Sequence, residues 1–269
     1  MKVSLIIPTY NRDEYLMDTL TCAFNQNFDD YEIIVIDQSL QHTSETQAFL
    51  EKHKSQLIYL QSESPSLTKA RNIGVNASMG EIIIMVDDDT LFNENFISAH
   101  WNAHQNGFDV VSGRVEEGQK KTLQRPIWFN KLGRYVGSEN CKTNGPTNKL
   151  AGCNGSFKRK VYEAIGGFDE RFIKMANCED ADFGYRACSA GYKTTFITEA
   201  EVIHRKAQDG GAGNRNKHLY LDQAYYQNRF LFTRKNFPGY ALFLLRLKLI
   251  IKALKAAYQL VKSAEKESV

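Results

Sequence analysis

The chain opens on an alternation of apolar runs and amphipathic stretches. "VSLIIP" (3–8) is a continuous apolar run, the pattern of a strand covered on both faces. From Asp13 to Asn27 the apolar positions recur at helical spacing, with Leu16, Leu20, Ala23 and Phe24 on one stripe. "YEIIVID" (31–37) reads as a second strand, and a helix capped by Thr43 or Ser44 runs on to His53. "LIYLQ" (57–61), a helix over "SLTKARNIGVNAS" (66–78) and the strand "EIIIMVD" (81–87) continue the series. Phe92 to Asn106 reads as a helix, and "FDVVSGRV" (108–115) as a fifth strand. Strand–helix alternation at this spacing predicts βαβ units, hence an α/β domain with a mostly parallel central sheet.

After Val115 the pattern loosens. Residues 116–149 are rich in Gly and turn formers, with Trp128, Phe129 and Tyr135 embedded. A loop of that length with aromatic residues points to function. Residues 150–172 read as strand, short helix and turn. Residues 178–191 read as a helix whose opening acids suit its positive N-terminal end. Residues 193–205 supply one or two strands, 206–217 form a glycine loop, and the rest is helical. The expected organisation is a domain over 1–215, in two halves (1–115 and 116–215), followed by a helical segment over 216–269.

Polar groups gather where the strands end. In open α/β sheets ligands bind beyond the carboxyl ends of the strands. The first strand ends in "PTYNR", the second in Asp37 and the fourth in Asp87, Asp88 and Asp89. Three adjacent carboxylates repel one another, and a hard divalent cation such as Mn²⁺ or Mg²⁺ offsets that repulsion. A solvated acidic turn is the alternative. A further acidic set, Glu179, Asp180 and Asp182, either complements a helix dipole or supplies a general base. The first strand is not followed by G-x-G-x-x-G, which argues against a dinucleotide enzyme.

Charge and cysteine usage narrow the classes. The formal charge of +3 gives no reason to expect nucleic acid as a partner. The five cysteines are irregularly spaced and form no C-x-x-C pair, so neither a disulfide framework nor a zinc site is expected. The apolar core of "MKVSLIIPTY" is too short for a signal peptide, and no window has the length and apolarity of a membrane span. Cytoplasm is the expected compartment. From Gln223 to Ala264 there is no Asp or Glu, against eight Lys or Arg. Lys248, Lys252, Lys255 and Lys262 fall near one helical face, and Leu247, Ile250, Ile251, Leu254, Tyr258 and Val261 fill an apolar arc. That pattern suits a helix lying on the inner, anionic face of a membrane, and a terminal helix packed on the domain or on a partner is the alternative.

Five stretches, "SLIIPTYNR", "IIVIDQS", "ARNIGVNASMGEIIIMVDDD", "GCNGSFKRKVYEAIGGFDE" and "CEDADFGYR", resemble in order the motif series of family 2 glycosyltransferases, inverting nucleotide-sugar enzymes of GT-A fold. The resemblance spans roughly residues 3–205 and departs at Cys178, where the family often has Gly. It implies that Pro8, Thr9, Tyr10, Arg12 and Asp37 line the nucleoside pocket. Arg71, Asp87, Asp88, Asn154, Gly155 and Glu179 join them in binding substrate. Asp89, with Asp87, matches the metal-binding DxD element, and Asp180 matches the catalytic base. His204, at a late strand end, is a candidate metal ligand or diphosphate contact, with a structural histidine as the alternative; the glycine loop either closes over the nucleotide with Arg215 on the diphosphate or is a surface connection. The expected donor is a UDP-sugar and the expected acceptor a glycan or lipid-linked hydroxyl in surface polysaccharide synthesis. A sugar nucleotidyltransferase, or a nucleotide- or glycan-binding module without turnover, are the alternatives.

Overall fold

The computed structural model describes residues 2–118, 122–174, 176–207, 210–211 and 223–250. The first half builds β1 (Val3–Thr9), α1 (Asp13–Phe24), β2 (Tyr31–Asp37), α2 (Ser44–His53), β3 (Leu57–Gln61), α3 (Leu67–Ala77), β4 (Ile82–Val86), β5 (Thr90–Phe92), α4 (Phe96–Gln105) and β6 (Val110–Glu116). The second half adds β7 (Trp128–Phe129), β8 (Tyr135–Val136), β9 (Asn154–Lys158), α5 (Arg159–Ile165), α6 (Glu179–Ser189), β10 (Thr194–His204) and α7 (Gln223–Asn236). A further helix, α8, occupies 239–250.

One sheet runs β3-β2-β1-β4-β9-β6-β10-β5, and β7 and β8 form a separate hairpin. The strands from β3 to β4 are all parallel, as the alternation predicts. Beyond β4 the sheet is mixed: β9 runs antiparallel to β4 and β6, β10 is parallel to β6, and β5 is antiparallel to β10. The helix read over Phe92–Asn106 is therefore shorter than expected. Thr90–Phe92 is a strand held by Val202–His204, and α4 starts at Phe96. A short Thr-Leu-Phe stretch supports either element, and pairing with β10 decides it.

β1 and β4 are buried along their whole length, as their apolar runs require. One face of the sheet is covered by Leu16 and Leu20 of α1 and by Phe96, Ile97 and Ala103 of α4. The other is covered by Ala70 and Val75 of α3, Val161 of α5, and Phe183 and Ala187 of α6. Gly74 lets α3 sit close: a Cβ there would lie 2.5 Å from the Ile6 Cγ2. A third cluster, with Phe129, Phe172, Ala181, Phe232 and Phe237, fastens α7 and the β7–β8 hairpin to the N-terminal end of α6. This arrangement turns the β7–β8 hairpin and α7 toward the carboxyl edge of the sheet.

Candidate active site

A cleft of about 640 Å³ opens at that edge, a volume usual for a small-molecule site. The ends of β1 and β2 contribute Pro8, Thr9, Tyr10, Arg12 and Gln38. The end of β4 contributes Asp87 and Asp88, the end of β10 His204, and the N-terminus of α6 Cys178, Glu179 and Asp180. The chain after Val115 adds Phe129, Tyr135, Glu139 and Lys149, and α7 adds Tyr225 and Arg229.

The three carboxylates after β4 have different neighbours. Asp88 is buried; it accepts from Thr9 Oγ1 at 2.8 Å and from Arg12 Nη1 at 2.7 Å. Burial pushes its carboxyl up to about 6 even with Arg12 beside it. Asp88 thus fixes Arg12 and the end of β1. Asp89 is fully buried; its Oδ2 accepts from Ala207 N at 2.8 Å and lies 3.3 Å from Arg12 Nη1. Asp87 is partly exposed and lies 3.2 Å from Arg71 Nη2. Asp87, Asp89 and His204 each present one donor atom, all within 4.8 Å of one another. His204 Nδ1 lies 3.1 Å from Glu117 Oε1, and its Nε2 lies 3.2 Å from Asp89 Oδ1 without hydrogen-bond geometry. A carboxylate on Nδ1 fixes the imidazole so that Nε2 points its lone pair at the acidic pair, the usual posture of a ligating histidine.

Glu179 and Asp180 diverge, as their helical spacing requires. Glu179 is ion-paired to Arg71, which is itself buried and donates to the Gly152 carbonyl at 2.9 Å. Burial, then the nearby Asp180 charge, pushes Glu179 up to about 8. Asp180 accepts from Gly152 N at 3.2 Å and faces Lys149 Nζ at 2.9 Å. Burial raises its carboxyl, but the Lys149 ammonium more than offsets this and holds it below the ordinary carboxylate range. Lys149 in turn is kept charged, against burial, by Asp180 and Glu139. Asp182 faces away and binds Arg186 Nε at 2.7 Å and Lys235 Nζ at 2.9 Å, so it serves the α6–α7 junction.

Some sequence expectations land elsewhere. Asn154 is fully buried in β9: its Nδ2 donates to the carbonyls of Arg114 (2.8 Å) and Ala200 (2.9 Å), and its Oδ1 faces His100 Nε2 at 3.0 Å. Gly155 packs under Leu150 and the Ala151 carbonyl. Neither lines the cleft; both close the sheet beneath it. Asp37 is also enclosed, held by Ser39 N at 2.8 Å, His42 Nε2 at 2.5 Å and the Tyr59 hydroxyl. Its neighbour Gln38 reaches the cleft instead. Arg215, and Ile251, Lys252, Leu254, Lys255, Tyr258, Val261 and Lys262 of the tail, lie outside the described residues. Sequence reading missed Lys149, Glu117, Glu139 and Arg229, which come from segments without periodicity or motif. Cys178, the noted departure, has φ 76°. That left-handed conformation favours glycine and explains the family's preference at this position.

A mixed α/β sheet with acids, a histidine and a helix-borne carboxylate gathered at its carboxyl edge is the architecture of a GT-A fold. Residues 4–166, more than half of the chain, match the family described as glycosyl transferase family 2, and the chain belongs to that family. Residues 133–208 also match a family described as N-terminal domain of galactosyltransferase. Among curated proteins, the chain is 30% identical over 133 residues to the poly(ribitol-phosphate) beta-N-acetylglucosaminyltransferase TarP of Staphylococcus aureus (strain N315), covering 47% of this chain and 41% of TarP. It is 26% identical to the uncharacterized glycosyltransferase YwdF of Bacillus subtilis (strain 168), covering 78% of this chain and 76% of YwdF. The fold is similar to that of S. aureus TarS 1–349 in complex with UDP-GlcNAc (TM-score 0.62, 20% identity, 86% of this chain and 65% of that chain). The chain thus spans less than two thirds of the length of TarP and of the solved TarS fragment.

Proposed function

We propose that this chain transfers a sugar from a UDP-sugar, with inversion, to a hydroxyl of a growing cell-surface polymer or lipid-linked glycan. The observation that carries the reading is the meeting in one cleft of a carboxylate kept anionic, Asp180, with Asp87 and His204, whose donor atoms close on the buried Asp89 behind them. Two acids pushed in opposite directions by their surroundings separate the roles. Asp180 is the base, and Glu179 with Arg71 forms the wall beside it. The acceptor oxygen bonds to the anomeric carbon as the bond from that carbon to the diphosphate oxygen breaks. The acceptor proton passes to Asp180, and the nucleoside diphosphate leaves on the opposite face, so the anomeric configuration inverts.

The donor set fits a divalent cation. Two carboxylates and one imidazole nitrogen suit Mn²⁺ better than Mg²⁺, which prefers oxygen. Such a cation, when bound, supplies Lewis-acid stabilisation of the charge gathering on the diphosphate. Pro8, Thr9, Tyr10 and Gln38 form the nucleoside side of the cleft, with Asp37 behind Gln38 as a positioning residue. Support for the cation comes from solved structures of similar fold described with Mn²⁺, a Pyrobaculum calidifontis mannosyltransferase and GalNAc-T7. Support for UDP comes from the TarS complex, and for a surface polymer from TarP and from the B. subtilis minor teichoic acid biosynthesis protein GgaB.

A nucleotide-sugar panel with Mn²⁺ tests the reading. Donor turnover is expected with a UDP-sugar, lost in chelator, with the product anomer inverted by NMR. A retained configuration, or full turnover in chelator, overturns it. We infer also that the enzyme works at the inner face of a membrane. No helix among the described residues is long and apolar enough to cross one. On α8, however, Tyr240, Phe243, Leu247 and Ile250 form an exposed stripe.

A further inference from the structure

Four cationic side chains line the cleft among the described residues: Arg12, Arg71, Lys149 and Arg229. Three are neutralised locally. Arg12 lies 2.7 Å from Asp88, Arg71 pairs with Glu179 and Asp87, and Lys149 with Glu139 and Asp180. Arg229 has no carboxylate within ion-pair distance among the described residues. Its Nη2 donates to the Gly133 carbonyl at 3.0 Å, its Nη1 lies 3.9 Å from Cys178 Sγ, and its guanidinium stands 5.9 Å from the Phe232 ring centroid. A guanidinium carries more N–H donors than these neighbours accept, and its planar fork matches an oxyanion. A half-exposed guanidinium with no carboxylate beside it among the described residues keeps N–H donors open to an anion entering the cleft.

The place of Arg229 says which anion. The nucleoside half of the cleft is built from the carboxyl ends of β1, β2 and β4. Arg229 belongs to none of these. It comes from α7 and touches the turn between β7 and β8 on one side and Cys178 on the other. Cys178 caps α6, whose second residue is Asp180. Exposed Tyr135 of the same hairpin lines the cleft beside it. The group that Asp180 deprotonates therefore enters past Arg229.

We propose that Arg229 binds an oxyanion carried by the acceptor, a phosphodiester or a carboxylate, next to the hydroxyl that Asp180 deprotonates, so that the acceptor is an anionic polymer. This rests on the transferase reading. It assigns Arg229 as a specificity-determining residue and leaves the donor's diphosphate to the other half of the cleft.

The test uses the full chain with UDP and Mn²⁺, and titrates sn-glycerol 3-phosphate, glycerate and glycerol by ligand-observed NMR. The wild type is expected to prefer at least one of the two anions over glycerol by about tenfold, as for a charge-assisted hydrogen bond. Whichever anion binds tighter names the group. The preference should collapse in Arg229→Gln and survive in part in Arg229→Lys, with unchanged urea midpoints certifying the fold. An Arg229→Gln chain that keeps the preference, or a wild type without one, overturns the proposal. So does an Arg229→Gln chain whose affinity for UDP falls by the same factor, because the arginine then serves the donor. Failure of wild-type UDP binding is a separate result and removes the transferase reading itself.

Discussion

Asp180 and Glu179 are chain neighbours with opposite surroundings, and the contrast can be measured. Asp180→Asn keeps the size of the side chain but cannot accept a proton. General-base catalysis is worth about 10² to 10⁴ in rate, so transfer should slow by about that range while nucleotide binding persists. If Glu179→Gln is dead and Asp180→Asn is not, the roles are exchanged. Lys149 gives a second handle. Its ammonium holds Asp180 deprotonated to lower pH than an ordinary carboxyl. Removing it in Lys149→Gln raises the Asp180 pKa, so the acidic limb of the kcat profile should move to higher pH. A limb that stays in place would mean that Asp180 is not the titrating base.

The elements were legible in the sequence where one force set them. Continuous apolar runs gave β1, β2 and β4, and the helical stretch over 66–78 gave α3, whose close approach to the sheet through Gly74 only the structure shows. The acids after β4 and at the start of α6 were legible because like charges in series need a counterpart. What was not legible depends on pairing at long range. Thr90–Phe92 becomes a strand only because β10 comes back beside it. Lys149 looks like any loop lysine until the fold sets it between Glu139 and Asp180. Asn154 sits in a stretch resembling a substrate motif, yet its amide joins β6, β9 and β10. Because its Nδ2 donates to two carbonyls, its Oδ1 must accept, and His100 donates from Nε2. Asn154→Ala leaves these buried groups without partners. It should cost about 1–3 kcal/mol in urea unfolding, with UDP affinity near wild type. A large loss of UDP affinity at unchanged stability would restore Asn154 to the substrate site.

At the scale of the whole molecule, the C-terminal helices join the cleft to a surface of distinct character. α7 is locked to the body by Phe232 and by Asn228, which bonds both the amide and the carbonyl of Ile173. α8 starts against the same cluster through Ala241, then presents Tyr240, Phe243, Leu247 and Ile250 outward. These positions recur at three- and four-residue steps, so they form one stripe, with exposed Arg246 and Lys248 beside it. The stretch from Gln223 to Ala264 holds no acid. An apolar stripe with only positive flanks suits the headgroup boundary of an anionic bilayer, where each cation near the surface contributes about 1 kcal/mol. The chain should therefore sediment with vesicles containing phosphatidylglycerol, and less so as salt rises and screening shortens. Phe243→Glu with Leu247→Glu should abolish binding, while Arg246→Gln with Lys248→Gln should weaken it mainly at low salt. If the wild type ignores vesicles but self-associates in sedimentation, and the double Glu variant is monomeric, the stripe is covered by a second copy of the chain and the membrane reading fails.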